Sequence, residues 1–537
     1  MTVQDCRNWQ SLTRAQQLAK RHQNWGEVVM LLSKTGSSGR GGGLTLGATL
    51  ICATAATGAW AASNQSTIPS FYPTPTRHYL KHSVNVCDQG SFFVGGMLKR
   101  TYYERSSVRS ANPQVVMIGQ MYVQFQIPMK FNDYPVIFVS GGAHTGASLE
   151  STPDGREGWA PYAFRKGIPT FVVDQSGRGR SGFDVSAIHE GVAKLTDSDP
   201  SNDAEGRALI PNTLVLGPSD WWQGTFGHLV NPQTGQPTNG PGTANIFVDQ
   251  LVPHGWSPLD PDTTHRPGVK PQFPIHTTSA ELIPPNLIPK GEQVPGTLAG
   301  PKDYYLLHYW RQLVPNAEQT LPGGQCPTCT PTTISAGGFA SGHTWTPVNV
   351  AELVEQLGKI YGGAVIATHS QSGPIGHHAV RYLKQNGALK YLKGLITVEG
   401  TPVTLANAGL TEADFDDIPY VVVKGDYSAT SAQSQDIVNA LIARRKARNG
   451  SAAVEYIKLD EAPSNANAWP SPLKRPVMEG ITHMMMDGTD EGLGNDSNDI
   501  MQVILNWSNS RIPKMKKAIS CNKGDDRDRG GHGAKRR

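Results

Sequence analysis

Charge is scarce in this chain. Only 17% of the 537 residues are Asp, Glu, Lys or Arg, against about 25% in an average globular protein. The 48 basic and 44 acidic side chains nearly cancel, leaving a net charge of +4. No basic stretch is interleaved with aromatic residues as a nucleic-acid groove requires, so nucleic acid is not expected as a partner. Long apolar runs are missing too. Beyond residue 62 no run of about 20 apolar residues occurs without small polar breaks, which excludes a polytopic membrane protein. No internal repeat is visible. Cysteine is sparse, with six in all: Cys6, Cys52, Cys87, Cys326, Cys329 and Cys521. The Cys326-Pro-Thr-Cys329 pair has no second pair to complete a four-ligand zinc site and no thioredoxin-like pattern around it. A local disulfide is expected there. What abounds is glycine and proline, 58 and 39 residues, well above their usual combined share of about 12%. The chain is therefore loop-rich, while its 38% hydrophobic content still supports a large core.

A modestly apolar stretch lies near the N-terminus, where residues 41–62 read GGGLTLGATLICATAATGAWAA. Lys34 and Arg40 precede it, polar SNQS follows, and Ala59 and Ala61 supply the small residues a signal peptidase needs at −3 and −1. Residues 1–62 are accordingly expected to be an N-terminal extension carrying a cleaved export signal, with Met30 a better start than Met1. A retained single-span anchor is the rival reading, and Ile51 is too bulky for lipoprotein processing at Cys52. Cleavage leaves Cys87, Cys326, Cys329 and Cys521, an even number suited to an oxidising compartment. The expected location is extracellular or periplasmic, without stable membrane association after cleavage.

Hydrophobic periodicity then organises the rest. Over 84–127 the segments SFFVGG and MYVQFQI alternate in the manner of antiparallel strands, with Met121, Val123, Phe125 and Ile127 on one face. Continuous apolar runs follow at Tyr134–Ser140, Gly167–Asp174, Ala364–Thr368, Leu395–Val398, Tyr420–Val423 and Val454–Leu459, separated by helix-length segments. Such runs indicate parallel strands covered on both sides. Thr346 as N-cap with Pro347 at N1 starts a helix that presents Val350, Leu353, Val354, Leu357 and Ile360 on one face. A helix over Ile437–Ala447 ends at Asn449-Gly450, and a closing helix carries Ile500, Val503, Ile504 and Trp507. Periodicity fades between 205 and 345, a Pro/Gly-rich stretch with Trp221, Trp222, Trp256, Tyr304, Tyr305, Tyr309 and Trp310. So long a segment is expected to form its own cap over the core. The organisation is thus a core in two parts, 80–204 and 346–513, split by a 205–345 cap insertion and followed by a disordered polar tail over 514–537.

The sharpest chemical signal is Ala364-Val-Ile-Ala-Thr-His369-Ser370-Gln371-Ser372-Gly373. An apolar strand runs into a tight turn of small residues and then into a helix. A nucleophile elbow needs this pattern, because the serine sits on a strained turn whose neighbours at −2 and +2 must be small. Centring on Ser370 makes those neighbours Thr368 and Ser372; centring on Ser372 pushes the serine into the helix, so Ser370 is preferred. Both glycines of the G-x-S-x-G pattern are replaced. A serine hydroxyl needs a base, and imidazole suits neutral pH. His483, in Gly480-Ile-Thr-His483, is the histidine between the last strand and the closing helix. His369, His377 and His378 are read as packing or pocket-lining residues. Two carboxylates compete to hold the imidazole: Glu399, costly at the end of a buried strand unless partnered, and Asp426, one residue beyond Gly425. Glu399 is favoured. An oxyanion needs converging backbone N–H groups, and the candidates are Gln371 after the serine and Gly142 and Ala143 in Ser140-Gly-Gly-Ala-His144-Thr-Gly146. Gly177-Arg-Gly179-Arg-Ser-Gly182 formally matches a dinucleotide fingerprint but lacks the strand junction and the ribose-binding acid. It reads as a turn tied down by its arginines and Asp174.

The strings GSFFVGG (90–96), QMYVQFQIP (120–128), STPDGREGW (151–159), RKGIPTFVVDQSGRGRS (165–181), THSQSG (368–373), VEG (398–400) and THMMMD (482–487) closely resemble an exported bacterial esterase family of the α/β-hydrolase superfamily. The resemblance covers about 90–190 and 346–510. It implies an α/β-hydrolase fold with a mostly parallel central sheet flanked by helices, N-terminal antiparallel strands, and a Ser-Glu-His triad made of Ser370, Glu399 and His483, strengthening Glu399 over Asp426. The best-known member has adjacent cysteines in its oxyanion loop, where this chain has Gly142-Ala143, and the 205–345 insertion is longer than the family leads one to expect. The expected activity is hydrolysis of a small-molecule carboxylic ester through an acyl-enzyme, with no metal or organic cofactor. A lactonase or amidase with the same triad, or a catalytically silent binding protein on the same fold, are the alternatives. The aromatic insertion suggests a bulky or apolar acyl or alcohol group, and the sequence leaves a monomer and a homodimer both open.

Overall fold

The computed structural model describes residues 84–153, 156–211, 228–229, 251–252, 309, 312–314, 321–322, 324, 326, 344–401, 403–425, 432–479, 481–488 and 497–521. All of them belong to the unit Pro73–Arg537. The expected export signal, most of the 205–345 insertion, Cys329, Asp426 and the chain beyond Cys521 lie outside the described residues.

Among the described residues the central element is a nine-stranded sheet. Its strands are β1 (Val86–Thr101), β2 (Gln114–Pro128), β3 (Val136–Val139), β4 (Thr170–Asp174), β5 (Ala364–His369), β6 (Leu392–Val398), β7 (Tyr420–Lys424), β8 (Val454–Lys458) and β9 (Ala468–Trp469). They are ordered β1-β2-β4-β3-β5-β6-β7-β8-β9. The first two strands and the last pair antiparallel, and β3 to β8 run parallel. This is an α/β-hydrolase fold, with β3 and β4 transposed relative to the chain.

Burial follows the periodicity. Every residue of β3, β4, β5 and β7 is buried, as parallel strands covered on both faces must be. In β2 the alternation holds, with Met121, Val123 and Ile127 buried between half-buried Tyr122, Gln124 and Gln126. Phe125 is half-buried and stacks on Phe171, ring centroids 5.8 Å apart.

The flanking helices are α1 (Trp159–Arg165), α2 (Val185–Thr196), α3 (Trp345–Tyr361), α4 (Ser372–Gln385), α5 (Ala432–Arg448) and α6 (Ser497–Arg511). Among the described residues no helix is long and apolar enough to cross a membrane. Helix α3 starts two residues earlier than expected, with Thr344 at the N-cap position. The Thr346 hydroxyl instead accepts from the Ser176 N–H at 3.0 Å, so tertiary contact has claimed the group that local pattern assigned to capping. Val350, Leu353, Val354 and Leu357 are buried as expected, but Ile360, one residue before the helix ends, is 67% exposed.

The tail is a second correction. Residues 514–521 are not loose: Met515 is buried, Ile519–Ser520 pairs antiparallel with Lys130–Phe131, and Cys521 is disulfide-bonded to Cys87 across 434 residues of sequence. The covalent tether and the added strand outweigh the polar composition that pointed to disorder. Cys326 is buried and also disulfide-bonded, and the expected partner Cys329 lies outside the described residues.

Candidate active site

The carboxyl end of β5 and the start of α4 build the elbow. Ser370 adopts φ +53°, a conformation that costs a non-glycine residue on the order of 1 kcal/mol. Surrounding hydrogen bonds hold it there. The Ser370 N–H donates to Val398 C=O at 3.0 Å, and its own C=O accepts from Gly373 and Thr401 at 2.9 and 2.8 Å. Ser372, the other serine of the motif, is a brace: fully buried, its hydroxyl accepts from the His369 N–H at 2.7 Å and lies 2.8 Å from Val139 C=O. The turn also needs Gly373, where a Cβ would come within 3.0 Å of Gly400 Cα and 2.9 Å of Thr401 O.

Ser370 Oγ stands 2.8 Å from His483 Nε2, and His483 Nδ1 stands 3.3 Å from Glu399 Oε2. His483 comes from the loop after β9, just ahead of a short turn at Met485–Asp487. Its position is fixed from behind by His369, whose Nε2 lies 2.8 Å from the His483 carbonyl. A carbonyl can only accept, so that ring nitrogen carries the proton. Burial, then the neighbouring His483, hold the His369 pKa well below the ordinary value, which keeps this ring neutral and suits it to bracing.

Glu399 directly follows β6 and has φ +50°. It is buried, at 2% exposure, and its charge is fully answered: Oε1 accepts from the Gly425 N–H at 2.6 Å, and Oε2 faces both Lys424 Nζ at 3.2 Å and His483. A buried carboxylate persists only with such partners. Asp426, the competing acid, lies outside the described residues.

Facing the elbow is the loop after β3. Gly141 abuts Ser370 so closely that a Cβ there would lie 2.9 Å from Ser370 Cβ and 2.9 Å from His369 Nδ1. Ala143 follows at φ +56°. Gly142 and Ala143 are both buried, and among the described residues their N–H groups meet no acceptor. Buried N–H groups are rarely left so; here they lie in the loop that packs against the serine. Gln371 follows the serine at the N-terminus of α4.

Two residues in this region were not singled out by spacing. Arg178, 1% exposed, reaches back to the loop and to Gln371, and His144 folds its ring onto the loop's own backbone at Gly142 O. The Gly177–Gly182 segment is the expected tied turn: Asp174 accepts from the Gly146 N–H at 2.7 Å and from Arg180 Nε at 2.9 Å. Among the described residues no three His, Cys, Asp or Glu side chains are grouped to hold a metal ion.

No protein-family model matches the chain. A segment of 89 residues is 40% identical to a probable secreted lipase, phiG, of Fungal sp. (strain ATCC 74256), and the match covers 15% of this chain and 24% of that protein. The chain thus spans about a quarter of the length of this curated relative. Among solved structures, one described as a novel bacterial esterase at atomic resolution is 23% identical, covering 83% of this chain and 99% of its own, with a TM-score of 0.49. A structure from a study of two Rhizomucor miehei esterases is 7% identical over 84% of this chain and 95% of its own, at a TM-score of 0.29.

Proposed function

We propose that this protein is a serine hydrolase that cleaves carboxylic esters through an acyl-enzyme. The observation that carries the reading is the unbroken line from Ser370 Oγ through the His483 ring to the buried Glu399 carboxylate, at 2.8 and 3.3 Å.

In this reading His483 Nε2 takes the Ser370 proton as Oγ attacks the ester carbonyl carbon. Glu399 holds the ring in the tautomer that leaves Nε2 free and stabilises the imidazolium that forms. The carbonyl oxygen becomes an oxyanion that accepts from Gly142, Ala143 and Gln371 N–H groups. Collapse expels the alcohol, which collects the proton from His483. Water, activated by the same imidazole, then attacks the acyl carbon and releases the acid, with the proton passing through Nε2 and returning to Ser370 Oγ. These steps use side chains and backbone alone and call for no cofactor. Export accords with the 41–62 signal-like stretch, the Cys87–Cys521 disulfide and the secreted lipase named for the partial relative.

The test is covalent labelling by a fluorophosphonate together with turnover of matched short ester, lactone and amide substrates. Labelling that Ser370→Ala abolishes, with turnover greatest on the ester, is expected. A wild-type protein that neither labels nor turns over nitrophenyl esters would overturn the reading.

A further inference from the structure

The 141–144 loop holds its carbonyls in an unusual way. The Gly141 C=O accepts from the Arg178 guanidinium, Nη1 at 2.9 Å. The Gly142 C=O accepts from the His144 ring, Nδ1 at 2.6 Å. The Ala143 C=O accepts from the Val314 N–H at 2.8 Å. Each of these carbonyls shares a planar trans peptide with the next residue's N–H, which points the opposite way. Fixing the Gly141 carbonyl therefore aims the Gly142 N–H, and fixing the Gly142 carbonyl aims the Ala143 N–H. Both of these N–H groups are buried, and neither meets an acceptor among the described residues. Arg178 adds a third hold, with Nη2 at 3.3 Å from Gln371 Oε1, on the residue that follows Ser370.

We propose that Arg178 and His144 are positioning residues that set the oxyanion hole by gripping the far side of its peptide units. The inference rests on the hydrolase reading above and adds to it the groups that preorganise the donors. Neither side chain touches the reacting atoms in this scheme. Arg178 suits the task because its rigid fork spans the loop and the elbow at once. Its charge also polarises the Gly141–Gly142 peptide, strengthening the Gly142 N–H as a donor. His144, 1% exposed, must carry its proton on Nδ1, because a carbonyl oxygen can only accept. Burial holds it neutral, with a pKa of about 4, so it acts as a fixed donor and not as a second base.

The test compares Arg178→Met with Arg178→Lys, and His144→Leu with His144→Asn, whose amide can present a donor near the place of Nδ1. Each variant is measured for kcat and KM on a nitrophenyl ester, for affinity toward a trifluoromethyl ketone that forms an oxyanion on Ser370, for affinity toward a non-hydrolysable ether analogue, and for melting temperature. Loss of positioning predicts that Arg178→Met and His144→Leu lower kcat by about 100-fold with little change in KM. Ketone affinity falls in parallel while ether affinity holds, and Lys and Asn recover part of the loss. Unchanged kcat, or a uniform fall of kcat, ketone affinity and ether affinity with a lowered melting temperature and no recovery by Lys or Asn, overturns the proposal. Should Arg178→Met or His144→Leu fail to fold, the same ratio of ketone to ether affinity in Arg178→Lys and His144→Asn decides. Fluorophosphonate labelling of the wild type separates the two failures: a protein that does not label refutes the hydrolase reading, whereas one that labels but is indifferent to Arg178 and His144 refutes this inference alone.

Discussion

Lys424 and His483 share one oxygen. Lys424 Nζ lies 3.2 Å and His483 Nδ1 3.3 Å from the same Glu399 Oε2, in a pocket where Lys424 is 4% and Glu399 2% exposed. The carboxylate can be buried at full charge because the ammonium already balances it, and its remaining capacity faces the ring. Removing one side of a buried pair leaves an uncompensated charge, at a cost of about 3–5 kcal/mol. Lys424→Met is therefore expected to lower the melting temperature and to weaken the hold on the imidazole, so that kcat falls too. A variant with wild-type stability measured by urea unfolding would show that the pair contributes nothing.

Glu399→Gln tests the other half of that contact. The amide can offer an N–H to Nδ1 and so favour the tautomer with its proton on Nε2, which cannot accept from Ser370. In the proposed mechanism kcat falls about 10³–10⁴-fold, and the buried Lys424 ammonium, left without its counter-charge, lowers the melting temperature as well. Asp426→Asn is expected to cost far less. Steady-state rates of the two variants on one ester settle their order, and a reversed ranking would move the acid to Asp426.

Ser370 and Ser372 separate by the same logic. Ser372 braces the turn from a fully buried position, so Ser372→Ala leaves a backbone N–H and a carbonyl short of a partner at about 1–3 kcal/mol, yet it should still label with a fluorophosphonate. Ser370→Ala should keep its stability, or gain slightly, and lose all labelling. The melting temperature should fall for Ser372→Ala alone, and the labelling yield for Ser370→Ala alone.

Why the sequence brings Ser370, Glu399 and His483 forward as candidates and passes over others is a matter of range. The Ser370 turn is local: an apolar strand, small neighbours and a helix start within ten residues of chain, so spacing alone exposes it. Glu399 stood out because a lone carboxylate at the end of a buried strand needs a reason. His483 followed from chain order. Arg178, by contrast, acts on Gly141 and Gln371, contacts that exist only once β3, β4 and β5 lie side by side, so its segment reads locally as a turn tied by its arginines and Asp174 and no further. His144 acts two residues back along its own loop, but only the positive φ of Ala143 folds the ring onto that carbonyl. The Cys87–Cys521 pairing is invisible for a related reason, since connectivity does not follow from cysteine spacing. Helix α3 was legible in its buried face and misplaced at its cap, where a threonine two residues away served equally well on local grounds.

The Cys87–Cys521 bond has a thermodynamic consequence. It closes a loop of 434 residues and fastens the chain after α6 to the edge strand β1. On a chain-entropy scale such a cross-link contributes about 6 kcal/mol, and native disulfides commonly account for about 2–5 kcal/mol. Cys87→Ser is expected to lower the urea midpoint and to make the chain near Cys521 an early site of proteolysis, while ester turnover at low temperature persists, because the bond lies far from the Ser370 elbow in the sheet order. Equal urea midpoints for the variant and the wild type under oxidising conditions would exclude a stabilising role.

Acid should unfold this protein partly through His144. Burial holds its pKa at about 4 against an ordinary value of 6.5, so the folded ring refuses a proton that the unfolded chain accepts. Between pH 6.5 and 4 the unfolded state binds more protons, and stability therefore falls as pH falls through that window and levels off for this group below it. The full contribution is about 3 kcal/mol, since each tenfold change in proton affinity is worth about 1.4 kcal/mol. His369 and His377 are buried with lowered values for the same reason and act in the same direction. Urea-unfolding midpoints measured across the window should decline toward acid in the wild type and decline less steeply in His144→Asn, which keeps a donor but cannot titrate. A parallel slope in the variant would mean that the ring is already protonated in the fold, and a charged ring so placed would stand against Arg178, whose guanidinium already occupies the adjoining carbonyl.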